Sequence, residues 1–266
     1  MKVSVLGATG TMGGLVVKAL LQEGGFAITG KVSRRDNVEV MFGCSDIIID
    51  FSCPLATEAM LRYAASSKSY IPIVIGTTGL SKVHHELMNE CATHAPVFCS
   101  PNMSPLVAML NFTVHLLAKI MDEDYDVEIF ESHHRMKKDA PSGTALMLGR
   151  TIARARNREF DDVANFMRYG IIEQRKRGEI GFSVQRSGMV VGTHEVAFIG
   201  SNESLKIRHE AYSKEIFAKG AVKVAKWLVR QDNGIYSMDD LARDTISPLI
   251  NEWYGEFFGS ERQNKL

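Results

Sequence analysis

No stretch of this 266-residue chain approaches the roughly 20 consecutive apolar residues that span a bilayer, so no membrane helix is expected. Net charge is also missing. Thirty-one Lys and Arg balance 31 Asp and Glu, for a formal charge of +0. With no bulk positive field, the chain as a whole is not expected to bind nucleic acid. Cysteine is scarce, and Cys44, Cys53, Cys91 and Cys99 form no C-x-x-C pair and no metal-ligand spacing. A zinc site is therefore not expected, nor a disulfide framework, and a reducing cytoplasm is the simplest compartment. The opening run Met1–Gly7 is too short for the apolar core of a secretory signal. Internal repeats and low-complexity segments are lacking too. What is present, 45% hydrophobic and 23% charged residues, is the make-up of one large or two modest globular domains.

Lys2–Leu6 is a short β-branched run leading directly into Gly7-Ala8-Thr9-Gly10-Thr11-Met12-Gly13. Helical periodicity follows through Leu15, Val16, Ala19 and Leu20. Strand, glycine turn and helix start form the setting of a dinucleotide fingerprint, in which the helix N-terminus offers its N–H groups to a pyrophosphate. The spacing is G-x-x-G-x-x-G, with Thr9 at the usual middle glycine. A second strand over 26–33 ends at Ser33-Arg34-Arg35, where an NAD-binding chain usually carries an acid. Guanidinium groups pair with phosphate, so Arg34 points to NADPH as the preferred cofactor, with NADH possible.

Further apolar strands are predicted over 46–51, 71–75 and 96–100, alternating with a helix that carries Thr57, Met60, Leu61 and Ala64 on one face and with helices over 82–93 and 105–121. The alternation predicts an α/β fold with a Rossmann-type parallel sheet. Two strand ends carry small polar loops, Gly76-Thr77-Thr78 and Ser100-Pro101-Asn102-Met103, at the position where ligands of open α/β sheets bind. The pair His84-His85 is assigned to a solvated helix face. The helix from residue 105 leads into a second α/β (α+β) domain. There, strands at 180–185, 189–199 and 204–211 suggest a mixed or antiparallel sheet, and a helix over 215–229 returns to the first domain. The polar residues 155–180, with Arg156 among them, read as solvated loops.

The chemical centre is the run Glu131-Ser-His-His-Arg-Met-Lys-Lys-Asp-Ala-Pro-Ser-Gly-Thr-Ala145. A strand over 125–130 precedes it, and Ser142 caps a helix that follows. The loop between them gathers His133, His134 and Lys137 beside the N–H groups of Gly143 and Thr144. That combination suits a carboxylate ligand and proton delivery. A basic surface loop would carry similar charges, but it has no need of the small, donor-rich Ser-Gly-Thr.

The same run, ESHHRMKKDAPSGTA, resembles the signature of the 4-hydroxy-tetrahydrodipicolinate reductase (dihydrodipicolinate reductase) family, and the resemblance extends over nearly the whole chain. It implies a dinucleotide-binding domain of residues 1–104 with 213–266, and a substrate-binding, tetramer-forming domain of residues 105–212. It also implies a cyclic imine dicarboxylate as substrate. His133 is then the proton donor and acceptor, Lys137 a proton donor, His134 a substrate contact, and Gly143 and Thr144 the carboxylate seat. The glycine turn, Asp50-Phe51 and the loops at 76–78 and 100–103 fall where the family meets its cofactor, and no metal is implied. The chain departs from the family at Ser33-Arg34, where an acid that admits NADH often stands. Another Rossmann imine reductase, such as an aspartate dehydrogenase, would share the glycine turn, as would a non-catalytic NADP sensor. Neither has reason to carry His133, His134 and Lys137 ahead of Ser142-Gly143-Thr144.

Overall fold

The computed structural model describes residues 1–33 and 37–258. The chain divides into two compact units, one of Met1–Pro105 with Phe217–Leu266 and the other of Leu106–Ile216. In chain order the first stretch holds β1 (Lys2–Leu6), α1 (Thr11–Glu23), β2 (Ala27–Val32), α2 (Glu39–Cys44), β3 (Ile47–Asp50), α3 (Pro54–Ser67), β4 (Ile73–Ile75), α4 (Lys82–Ala92) and β5 (Val97–Cys99). The middle stretch holds α5 (Pro105–Ile120), β6 (Asp126–His133), α6 (Gly143–Ala155), α7 (Phe160–Val163), β7 (Ala164–Asn165), β8 (Ile180–Arg186), β9 (Gly192–Ile199) and β10 (Ser204–Ala211). The chain ends through α8 (Glu215–Leu228), β11 (Ile235–Tyr236) and α9 (Met238–Phe258). None of the described helices is long and apolar enough to cross a membrane.

The first unit is built on a six-stranded sheet in the order β11-β5-β4-β3-β1-β2, with every pairing parallel. Its central strand β3 reads Ile-Ile-Ile-Asp, and all four residues are fully buried. That continuous apolar run marks a strand covered on both faces. A two-residue edge strand, β11, completes the sheet by pairing Ile235 with Val97 and Tyr236 with Phe98. Trp227 of α8 fixes this return, meeting Phe98 and Tyr236 edge-on at ring separations of 6.1 and 5.3 Å.

The second unit has a five-stranded mixed sheet in the order β10-β9-β6-β8-β7. β6 runs parallel to β8 and antiparallel to β9. Leu110, Val114 and Ala118 of α5 and Ala145, Leu148 and Ile152 of α6 pack on the face carrying Val127, Ile129, Ile180, Val196 and Phe198. On the opposite face Ser183, Gln185, Lys206, Arg208 and Glu210 are exposed.

Three expectations change. β6 runs three residues past Phe130, so Glu131, Ser132 and His133 are strand residues and not loop. Arg156 is not solvated. Its guanidinium donates to the carbonyls of Met121, Asp122 and Tyr125 at 2.7–3.1 Å, closing the end of α5. Finally, of the pair on α4, only His85 is exposed. His84 is 4% exposed, accepts at Nδ1 from the Ser81 N–H at 3.1 Å and lies 2.9 Å from the Pro54 carbonyl at Nε2. A helix cap explains this histidine without invoking chemistry.

Candidate active site

Side chains alternate across a strand, so the inward row of β6 continues from Val127 and Ile129 to Glu131 and His133. Glu131 is 1% exposed, and a buried carboxylate needs partners. It has four donors. Oε1 accepts from the Ser142 N–H at 2.9 Å and from Arg186 Nη2 at 2.6 Å. Oε2 accepts from Arg186 Nη1 at 2.8 Å and from His133 Nδ1 at 2.6 Å. Burial pushes the carboxyl up, but the hydrogen bonds from His133, Arg186 and Ser142 outweigh it and bring the group down to about 2. Glu131 is therefore anionic at any working pH.

The carboxylate accepts only, so His133 Nδ1 carries the proton of that bond. Nε2 is left as the nitrogen that can exchange a proton with a ligand. A side chain at Gly192 would begin 3.1 Å from this atom, so glycine keeps the space beside it open. His194, opposite Glu131 in the β6–β9 register, lies edge-on to His133 at 5.2 Å. Burial, and then the charge on His133, push its imidazole down to about 3, so it is neutral. His194 Nε2 shares a 2.9 Å hydrogen bond with Ser142 Oγ, which also accepts from the Ala145 N–H. Ser142 thus caps α6 as expected, leaving Gly143 exposed and Thr144 half-buried in the first turn.

Between β6 and α6 the chain makes a turn in which the Lys137 N–H donates to the His134 carbonyl. The 186–188 loop buttresses it, since Ser187 N donates to His133 O and Arg135 N to Gly188 O. Lys137 Nζ sits 2.9 Å from Asp139 Oδ1, and Arg186 Nη2 reaches the Asp139 carbonyl at 2.6 Å. His134 Nδ1 is buried with no hydrogen-bond partner among the described residues. His133, His134, Lys137, Gly143 and Thr144 thus all lie on the short path from the end of β6 to the first turn of α6. Glu131, Arg186, Gly192 and His194 were given no role by sequence reasoning. The available signal was an acid at an inward strand position, which has to find a cation.

A depressed carboxyl contributes stability above its unfolded value and loses it as pH falls through the folded value. For Glu131 that window runs from 4.5 down to about 2. Thermal unfolding followed by circular dichroism should show Glu131→Gln losing less stability than the parent across this window. Parallel curves would mean that the carboxylate is not held as described.

In the first unit the residues expected to meet a dinucleotide gather at the C-terminal ends of parallel strands. Gly7–Gly10 turn from β1 into α1, Thr11, Met12 and Gly13 form the first turn of α1, Gly76–Thr78 follow β4, and Ser100–Met103 follow β5. Gly7 has φ +85°, and its N–H donates to the Val32 carbonyl at 2.8 Å. Gly10 caps α1 without a side chain, so no cap group competes for the helix's first donors. Asp50, fully buried, accepts from the Ser52 N–H and hydroxyl and from Thr57 Oγ1. Ser52 N also donates to Thr77 Oγ1 at 3.0 Å, which joins the loops after β3 and β4. A cavity of about 500 Å³ lies at the end of β2, lined by Leu6, Ser33, Val38, Cys53, Leu55 and Ala59 among others. Its apolar walls suit a nucleoside, and the open-ended turn suits the phosphates. Arg34 lies outside the described residues.

The model described as "Dihydrodipicolinate reductase, N-terminus" matches residues 1–103, and "Dihydrodipicolinate reductase, C-terminus" matches residues 107–242. The chain belongs to the dihydrodipicolinate reductase family. Members of this family are nicotinamide-dependent oxidoreductases, and the glycine turn and the apolar cavity fit the two parts of such a dinucleotide. The chain is 38% identical to a 4-hydroxy-tetrahydrodipicolinate reductase of Geotalea uraniireducens, over 90% of this chain and 98% of the relative. It is 41% identical to one of Campylobacter jejuni subsp. jejuni, with the same coverage. In fold it resembles a dipicolinate-bound dihydrodipicolinate reductase from Paenisporosarcina sp. TG-14, with a TM-score of 0.70 at 20% identity, covering 89% of this chain and 97% of that one.

Proposed function

We propose that this chain reduces (2S,4S)-4-hydroxy-2,3,4,5-tetrahydrodipicolinate to (S)-2,3,4,5-tetrahydrodipicolinate, in the diaminopimelate route to lysine. A hydride and a proton enter the ring, and its 4-hydroxyl leaves as water. The nicotinamide cofactor supplies the hydride, with NADPH preferred and NADH possible. The observation that carries this reading is the pinning of His133 Nδ1 on Glu131, which leaves Nε2 as the nitrogen that can exchange a proton with a ligand. His133 and Lys137 deliver protons, while His134 contacts the substrate. The Gly143 N–H and Thr144, in the first turn of α6, hold a carboxylate, as a helix start does for anions. We also place the enzyme in the cytoplasm as a homotetramer, the exposed face of the second sheet being available for self-association.

The deciding experiment follows oxidation of NADPH and of NADH by the purified chain, offered this substrate or the imine of oxaloacetate. Turnover of the cyclic dicarboxylate alone, faster with NADPH, is expected, and Arg34→Glu should weaken NADPH more than NADH. Preference for the acyclic imine would favour an aspartate dehydrogenase. Cofactor binding without turnover of either would favour a sensor.

A further inference from the structure

We infer that Glu131, clamped by Arg186, is the positioning residue of this site, fixing which nitrogen of His133 faces the substrate and tying the lysine loop and the head of α6 to one carboxylate. The inference rests on the reading of His133 as a proton donor.

The geometry leaves little freedom. The four donors divide two to each oxygen, so neither oxygen can become a donor without facing an N–H. The arginine fork fixes the plane of the carboxylate, and that plane sets the direction of the His133 ring. The same guanidinium holds the carbonyl of Asp139, whose side chain meets Lys137. The Ser142 N–H on Glu131 Oε1 anchors the residue before the carboxylate seat. One buried anion therefore touches each part of the site: the imidazole directly, the helix start through Ser142, and the lysine loop through Arg186.

A buried ion pair is a weak source of net stability, because desolvation of both charges offsets their attraction. A purely structural need at this position could be met by two apolar side chains. What they could not supply is an acceptor for His133 Nδ1. The charged and titratable groups in contact or in register with His133 are Glu131 on its own strand, Arg186 on β8 and His194 on β9, with His134 next to it in the chain. Of these, only Glu131 accepts from the imidazole.

Glu131→Gln keeps the shape but turns one oxygen into a donor. The amide then faces either Arg186 or His133 Nδ1–H, and His133 can answer by moving its proton to Nε2. We expect kcat to fall by about 10- to 100-fold, as activity does when the hydrogen-bond partner orienting a metal-ligating histidine is removed. The KM for NADPH should not change. Nitrogen-15 NMR of the His133 ring in its neutral form, the state left after it has given its Nε2 proton, should show the Nδ1–H tautomer in the parent and a mixture in the variant. Glu131→Asp, which keeps the charge at shorter reach, should recover part of the rate.

The double variant Glu131→Gln/His133→Gln should be no slower than His133→Gln alone, because groups acting through one another are not additive. Full kcat in Glu131→Gln, or an unchanged tautomer, overturns the inference and leaves the proton-donor reading standing. Independent, multiplying losses in the double variant overturn it as well. Full turnover by His133→Gln removes the proton-donor reading and this inference together. Should Glu131→Gln fail to fold, Arg186→Lys, which keeps the charge and loses the fork, carries the same measurements.

Discussion

Lys137→Ala is expected to lower kcat by about two to four orders of magnitude, the usual worth of a positioned proton donor. NADPH affinity, read by fluorescence titration, should stay at the parent value, because the residues expected to meet the dinucleotide belong to the other unit. The fold should tolerate the change. Lys137 occupies a turn, and its ion pair is with Asp139, whose side chain is 60% exposed, a type of pair worth about 0–1 kcal/mol. An unchanged thermal midpoint separates lost chemistry from lost structure. Lys137→Arg divides the role further. Arginine restores a cation beside a substrate carboxylate but does not release a proton near neutral pH. It should therefore bring KM back toward the parent and leave kcat low. Parental turnover in Lys137→Ala would mean that the proton comes from elsewhere.

The frame of the protein is legible in its hydrophobic periods, because local patterns of 2 and 3.6 residues survive into the tertiary structure. Thus β3, β4, β5, α4, α5 and α8 lie within a residue or two of where the pattern puts them. The pattern is silent where partners are distant. β11 is two residues long and exists because Val97 and Phe98 present an edge for it. Arg156 and Arg175 read as solvated until the carbonyls they hold, at the end of α5 and along β6 and the start of β8, are brought to them. The site divides the same way. The proton donors and anion seat we propose form one contiguous run, so they stand out in the sequence. Arg186 is 55 residues from Glu131, and β6–β8 pairing alone brings it alongside. The end of β6 was misplaced for a related reason. An acid and a histidine end an apolar alternation on paper, whereas in the fold they continue its inward row.

Gly13→Ala is expected to weaken NADPH binding by roughly 5- to 150-fold, the equivalent of the ~1–3 kcal/mol that overpacking typically costs. On helix propensity alone the change should stabilise α1 by roughly 0.5–1 kcal/mol. Packing decides otherwise. The new Cβ would stand 2.0 Å from the Gly7 carbonyl oxygen and 2.9 Å from the Ala8 nitrogen, both backbone atoms. Gly7 cannot retreat. Its N–H is bonded to Val32, its φ is +85°, and its own Cβ position faces the Phe51 carbonyl at 2.5 Å. The turn is wedged between α1 and the backbone after β3, so the helix must back away, at the ~1–3 kcal/mol typical of overpacking. Its uncapped N–H groups then no longer converge with the turn on a pyrophosphate. Gly14→Ala is the control, one residue on in the same helix. Its Cβ would meet the Ala8 carbonyl at 3.7 Å, an ordinary contact. That variant should bind NADPH like the parent and melt slightly higher. Equal affinities for the two variants would mean that the close seating of α1 on Gly7 has no part in holding the cofactor, and the phosphates would have to be sought at another strand end.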